Sequence, residues 1–256
     1  MAISCVFMID VREFVRQTQA TNLRSTVAQF DSVLTQLQYR IPYQIALRYL
    51  RPEDIALDWG CGDGHFSYFL TRQGIRTWGF SFEHPREYFR ELPGFSFVSG
   101  SEHEPSRLPF SDGQFTAVFS VGVLEHVYET GGDEVRSLRE IHRVLAPGGH
   151  FFCFHFPNRL QWSEPASKLL RLNRYFHNRK YSPGDIRRFT AGGGLELLEW
   201  GRYNFFPRNQ LARLPHGLKN APWSATLFEA LDASMAHLLP FLCTNYHFVA
   251  RKAAFP

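Results

Sequence analysis

The chain has 256 residues and a mass of 29.7 kDa, the size of one large domain or of a domain with an insertion. Its net charge of +4 comes without any Lys/Arg block, which argues against a nucleic-acid partner, and 44% hydrophobic content is enough for a proper core. Four scattered cysteines (Cys5, Cys61, Cys153 and Cys243) show no metal-ligand spacing, and Cys61 and Cys153 read as reduced, buried thiols of a cytoplasmic protein. Met1 to Asp10 is apolar but has neither a basic lead nor a small-residue cleavage site, so no secretory leader is expected. No apolar run is long enough for a transmembrane segment.

In chain order, residues 11–50 read as helical, with Tyr43, Leu47 and Leu50 at helical spacing before the turn Arg51-Pro52-Glu53-Asp54. Strand and helix signals then alternate. Strands are expected at Ile55–Asp58, Ile75–Phe80, Phe95–Ser99, Ala117–Ser120 and His150–Phe156. Helices are expected at Phe66–Gln73, near Pro85–Leu92, and at Glu134–Leu145, the last stopped by Pro147-Gly148-Gly149. Ser182 reads as an N-cap with Pro183 in the first helical position; strands follow at Leu195–Arg202 and Asn245–Lys252. Such alternation predicts an α/β fold: a Rossmann-like, doubly wound, mostly parallel seven-stranded sheet with helices on both faces. Three units are expected: an N-terminal helical segment (1–50), a core (51–204 and 242–256), and a helical insert (205–241). In the insert, Leu227, Phe228, Leu231, Met235, Leu238 and Leu239 form one apolar stripe. It reads as core packing, a lid over a pocket, a dimer interface or a membrane-surface helix.

The most informative stretch is Ile55-Ala56-Leu57-Asp58-Trp59-Gly60-Cys61-Gly62-Asp63-Gly64-His65-Phe66. An apolar strand runs into a glycine turn and then a helix. Gly60, Gly62 and Gly64 leave bare backbone against which a ligand can lie, and the helix start offers free N–H groups. Asp58 can accept hydrogen bonds from a cationic amine. A dinucleotide fingerprint spaces its glycines G-x-G-x-x-G; here the third comes one residue early.

Leu-Asp-x-Gly-Cys-Gly-x-Gly closely resembles the first motif of the class I S-adenosylmethionine (SAM)-dependent methyltransferases. Three later segments extend the likeness: Leu108-Pro109-Phe110-Ser111-Asp112-Gly113-Gln114-Phe115, then Ser120 to Val127 with Leu124-Glu125-His126, then Glu140 to Gly149, similar to the family's E-x-x-R-V-L-x-P-G-G. The resemblance implies SAM as cofactor and methyl transfer to an oxygen or nitrogen of a small-molecule acceptor. It implies that Asp58, Gly60, Cys61, Gly62 and Gly64 hold the methionine end, and that Ser81, Phe82 and Glu83 sit near the ribose and adenine. Ser101 and Glu102 would lie at the adenine edge, and Ser120 and Val121 under the sulfonium. No metal is needed for such a reaction. His155 and His126 are the candidate bases, with His177 and Tyr181 able to reach the acceptor from above. An apolar lid bearing Trp223, Phe228 and Phe241 would favour an aromatic or lipid-like acceptor. Monomer and homodimer both remain open.

The chain departs from the family pattern in two places. Ser81 stands where the family has an acid for the ribose, and Thr116 where it has Asp after Phe115. These departures leave a non-catalytic or partner-dependent binding protein on the same fold as an alternative, beside an NAD-dependent oxidoreductase.

Overall fold

The computed structural model describes residues 9–254 apart from 84–86, 91, 102, 105, 172–175 and 208–210. The expectations at Cys5, Pro85 and Glu102 lie outside the described residues. Seven strands form one sheet: β1 (Ile55–Trp59), β2 (Arg76–Ser81), β3 (Phe95–Ser99), β4 (Phe115–Val121), β5 (Leu145–Pro157), β6 (Glu196–Tyr203) and β7 (Asn245–Arg251). Their order is β3-β2-β1-β4-β5-β7-β6, parallel except for β7, which runs against both β5 and β6. The order reverses between β1 and β4. The carboxyl ends of those two strands are therefore where a doubly wound sheet opens a crevice.

The central strands β1, β4 and β5 are largely apolar because both of their faces are covered. Along β5, Phe152 and Phe154 enter one buried cluster, whereas Phe151, Cys153 and Phe156 enter the other. This is the two-residue alternation of a strand. The first cluster packs under the N-terminal segment. There Phe14 lies edge-on to Tyr43 and Phe69, and Tyr43 stacks on Phe69 at 4.2 Å. The second lies under α6 (Glu134–Val144) and α8 (Pro183–Gly192). Ser182 caps α8 with Pro183 first in the helix, and a reciprocal bond from Asp185 completes a capping box.

The N-terminal segment is helical in pieces: α1 (Val11–Gln19), α2 (Val33–Leu37) and α3 (Arg40–Tyr49) are separated by 3-10 turns at Asn22–Ser25 and Ala28–Phe30. Ser32 and Thr35 form a capping box that starts a new helix there. Pro147-Gly148-Gly149 does not stop short of β5 but is part of it, since Leu145 already pairs with Phe115. Gly148, at φ +78°, takes up the irregularity.

Two of the family-like segments staple each other. The Glu140 carboxylate accepts the Leu108 N–H at 2.9 Å. The Arg143 guanidinium donates to the carbonyls of Leu108 and Phe110 and to Asp112, at 2.9, 2.8 and 2.6 Å. Thr116 has a structural role as well: its hydroxyl accepts the Ile55 N–H at 3.0 Å and fixes the start of β1. Arg143→Leu is expected to lower stability by about 2 kcal/mol, because it strands two carbonyls and a carboxylate, without changing cofactor affinity. Urea unfolding and a binding titration on the same sample check this; a stability within error of wild type contradicts it.

The insert's long helix, Pro222–Leu238, is tied to the N-terminal segment. Arg40 pairs with Glu229 at 3.2 Å, and Lys219 pairs with Asp31. Asp232 accepts the Phe206 N–H at 2.9 Å. Half of its apolar stripe is outward: Leu227 is 51% exposed, Leu231 48% and Leu238 69%, while Phe228, Met235 and Leu239 are partly buried. Among the described residues, no helix is long and apolar enough to cross a membrane.

Candidate active site

The glycine turn is stapled to β2 by the N–H groups of Gly60 and Cys61, both donated to the Phe80 carbonyl at 2.7 and 3.0 Å. It then enters α4 (His65–Arg72) with Gly64 as the N-cap. All three glycines have positive φ, +73°, +49° and +78°. Only one of them faces open space. A Cβ at Gly60 would lie 2.5 Å from a Val123 methyl, and one at Gly64 would lie 3.1 Å from the Phe89 ring. At Gly62 it would meet nothing nearer than the Gly60 carbonyl at 4.0 Å. The expected bare backbone is therefore confined to Gly62; the other two glycines serve close packing.

Asp58 is buried at the end of β1, where its carboxylate accepts the Ser67 hydroxyl at 2.6 Å and also the Ser67 N–H. Burial pushes its pKa up to about 6, against the pull of those two bonds. Among the described residues, no cationic side chain offsets it. A buried carboxylate beside an open glycine and a helix start suits a ligand that brings both an ammonium and a carboxylate.

At the ends of β2 and β3, Ser81 accepts the Glu83 N–H at 3.3 Å, and the Gly100 N–H donates to the Ser81 carbonyl at 2.9 Å. Phe82 lies edge-on to Phe80, and a Cβ at Gly100 would strike both rings. Ser101 is exposed and accepts the His103 N–H. The fold thus brings Ser81, Phe82, Glu83 and Ser101 to one edge beside the glycine turn. Cys61 is buried against β2, and burial pushes its thiol far up. Ser120 does not line the crevice; fully buried, it accepts the Leu124 N–H at 3.2 Å and holds the turn after β4.

Next to this edge, beyond the carboxyl ends of β4 and β5, lies a cavity of about 430 Å³. Val121, Gly122, Glu125, His126, His155 and His177 line it from the core. Gln29, Gln38 and Tyr39 line it from the N-terminal segment, and His65 from the start of α4. His155 sits where β5 loses register with β7; its φ of +60° is strained for a residue with a side chain. Its N–H donates to the Tyr203 hydroxyl at 2.7 Å. Asn204, also at positive φ, lines the same cavity and bonds the Gln38 carbonyl at 3.0 Å.

Among the buried polar atoms of the described lining, His65 Nε2, Glu125 Oε2 and His155 Nε2 have neither a hydrogen-bond nor an ion-pair partner within the protein; Glu164 Oε2, also without a hydrogen bond, is ion-paired with Lys180. Burial pushes the His65 imidazole down to about 3 and that of His155 down to about 4, so both are neutral at pH 7. Burial pushes the Glu125 carboxyl up to about 8. The Asn245 amide nitrogen lies 3.3 Å from His155 Nδ1 and 3.0 Å from Thr244 Oγ1. The Thr244 hydroxyl donates its own proton to the Asn204 carbonyl, so it accepts from the amide. The other amide proton then faces Nδ1, and the neutral His155 ring presents Nε2–H to the cavity.

His126 stands at the cavity mouth with Nδ1 3.1 Å from Glu129, and His177 stacks on it with the ring centres 5.7 Å apart. Tyr181 does not reach the cavity. Its hydroxyl donates to Glu134 at 2.8 Å and its ring stacks on Phe156 at 4.1 Å. The helix Pro222–Leu238 supplies none of the described lining residues; of the insert, Pro207 does. Sequence reasoning missed Tyr39, His65 and Glu164, whose only signal was a polar residue type inside an apolar neighbourhood.

The lowered imidazole pKa values carry a stability signature. The unfolded chain takes up protons near pH 6.5 that folded His65 and His155 refuse until about pH 3–4, so stability is full above 6.5 and falls as pH drops. His65→Phe is expected to flatten that loss. Urea midpoints at pH 7, 5.5 and 4.5 read it, and parallel curves for variant and wild type contradict it.

Residues 57–153 match the family described as a methyltransferase domain. Over that segment the chain is similar to methyltransferase domains. Over 104 residues the chain is 30% identical to the probable tRNA methyltransferase 9B of Mus musculus, a match covering 41% of this chain and 22% of that protein. Over 147 residues it is 26% identical to the demethylmenaquinone methyltransferase of Symbiobacterium thermophilum, covering 54% of this chain and 55% of that one. The chain thus spans about a fifth of the first relative's length and about half of the second's. In fold it is similar to the 1,6-didemethyltoxoflavin-N1-methyltransferase of Burkholderia thailandensis, solved with S-adenosylhomocysteine. The TM-score is 0.55 at 16% identity, over 96% of this chain and 92% of that one. The methyltransferase domain ends inside β5, so β6, β7 and much of the cavity wall lie outside the matched residues.

Proposed function

We propose that the chain is a SAM-dependent methyltransferase that transfers a methyl group to an oxygen or nitrogen of a small polar acceptor held in the cavity beside β4 and β5. The observation that carries this reading is the set of partnerless buried polar atoms on residues that line one cavity of ligand size. A polar molecule that bonds them removes a burial cost that the protein alone leaves uncompensated.

When bound, SAM supplies an electrophilic methyl on a sulfonium. The residues supply position. Gly62 admits the methionine end, Asp58 receives its ammonium, and Ser81 offers one hydroxyl to the ribose. His155 Nε2–H donates to the acceptor atom and orients a lone pair toward the methyl. The acceptor's proton leaves through the cavity mouth, where His126 stands beside Glu129. Tyr39 and Gln38 wall the cavity from water. Val121 borders the crevice below.

A tRNA acceptor fits less well. No Lys or Arg is among the described lining residues, whereas Glu125 and Glu164 are, and tRNA binding needs a basic track. The polar lining also displaces the expected aromatic or lipid-like acceptor. Three buried free cysteines, Cys61, Cys153 and Cys243, agree with a cytoplasmic setting. A partner-dependent member of the fold is the second reading, favoured by Ser81 at the ribose position. Methyl transfer from labelled SAM, assayed against a panel of small amines and phenols and against total tRNA, separates these readings. Label in a small acceptor supports the proposal, and label only in tRNA overturns it.

A further inference from the structure

Glu125, His126 and His177 form a cluster at the cavity mouth that methyl transfer alone does not require. One donor atom of each lies within 4.8 Å of the others. Glu125 and His126 come from the 3-10 helix Leu124–Thr130 after β4, and His177 from the loop before Tyr181, so the fold converges them from 50 residues apart. Three features set this cluster apart from a chance meeting of polar side chains.

Glu125 is first. Its side chain is 2% exposed, it lines the cavity, and its Oε2 has no partner in the protein. A buried carboxylate left so is costly unless a cation or a donor completes it. The second feature is that each imidazole has a carboxylate on Nδ1: Glu129 at 3.1 Å for His126, and Glu164 at 2.5 Å for His177. A carboxylate behind Nδ1 fixes the ring and directs its lone pair to Nε2, the arrangement that surrounds histidine metal ligands. The third is charge. Glu129 and Glu164 stand behind the two imidazoles, and among the described residues Lys180 pairs with Glu164 at 2.5 Å while no Lys or Arg is paired with Glu129.

We infer that Glu125, His126 and His177 bind one divalent transition-metal ion, with Glu129 and Glu164 as positioning residues. Two imidazoles and one carboxylate match the preference of zinc, iron(II), cobalt and manganese, and not the all-oxygen shell of calcium or magnesium. An ion takes nitrogen and oxygen donors at about 2.0–2.2 Å, so the cluster closes around it by side-chain rotation of roughly 1 Å. With three protein donors the ion keeps positions for water or for a coordinating oxygen of the acceptor. The binding of the ion stands on this geometry alone. Its use in presenting the acceptor rests on the proposed methyl transfer.

The test is titration of the chelator-treated full chain with Co²⁺, followed by visible absorption, and with Zn²⁺, followed by calorimetry; SAM is titrated into the same samples. One ion per chain with cobalt absorption bands is expected. His177→Ala and His126→Ala are expected to lose the bands, and Glu129→Gln to weaken binding about tenfold without removing a ligand. SAM affinity is expected to stay unchanged in all three variants, which separates loss of the ion from loss of fold. No saturable binding by wild type, or equal binding by wild type and all three variants, overturns the inference. Metal binding without SAM binding would leave this inference standing and remove the methyltransferase reading; SAM binding without metal would do the reverse.

Discussion

Gly62→Val is expected to weaken SAM binding by at least about 10²-fold while the chain remains folded. The turn puts this residue at φ +49°, with only the Gly60 carbonyl, 4.0 Å away, near the place of an added Cβ. A branched side chain there fills the space in which the methionine end would lie. Backbone strain from an L-residue in the left-handed region costs about 1–2 kcal/mol by itself. Gly131→Val separates the two effects. Gly131 has φ +80° and open space around it, so it suffers the same strain far from the glycine turn. Calorimetric titration of both variants with SAM is the check. Equal affinities for Gly62→Val and wild type would remove the glycine turn from the binding site.

The second large effect is expected at His155. His155→Ala should lower turnover about 10²-fold with SAM affinity unchanged, because it removes a donor that orients the acceptor. Asn245→Asp is the sharper variant. A carboxylate at that place accepts from His155 Nδ1–H, so Nε2 changes from donor to acceptor and the ring pKa rises. Turnover should then fall as pH rises through the raised ring pKa, because only the protonated ring of the variant still donates from Nε2. An unchanged profile, with an unchanged rate in His155→Ala, would place the ring outside the chemistry. His126→Ala is expected to cost less turnover than His155→Ala when metal is absent.

The parts of the molecule legible in the sequence were those fixed by local chemistry. The alternation of apolar strands and helices is written in period and punctuation, and six of seven strands lie within two residues of their expected bounds at both ends. Ser182-Pro183 starts α8 for reasons contained in four residues. The family-like segments were readable too, but their roles were not. Glu140 and Arg143 staple the Leu108–Asp112 loop, Thr116 holds β1, and Gly60 and Gly64 make room for Val123 and Phe89. A motif marks a place that cannot vary freely; it does not say whether packing or a ligand is the cause.

The cavity was the least legible part because its walls come from distant pieces of chain. Tyr39 lies edge-on to both His65 and His155, at 4.4 and 4.7 Å between ring centres, yet these three are 26 and 90 residues apart in sequence. No window of sequence contains them together. His155 itself was readable as the end of β5, but its positive φ and its Asn245 partner depend on a register shift against β7. The half-outward apolar stripe of Pro222–Leu238 shows the same limit. Periodicity marks a face, and only tertiary packing decides what covers it.

The most direct measurement of the central claim is calorimetric titration of the full chain with SAM, S-adenosylhomocysteine and NAD. The site described here predicts saturable, one-to-one binding of the first two in the micromolar range and none of NAD. A folded sample that gives no heat with SAM or S-adenosylhomocysteine, or that binds NAD instead, would contradict it.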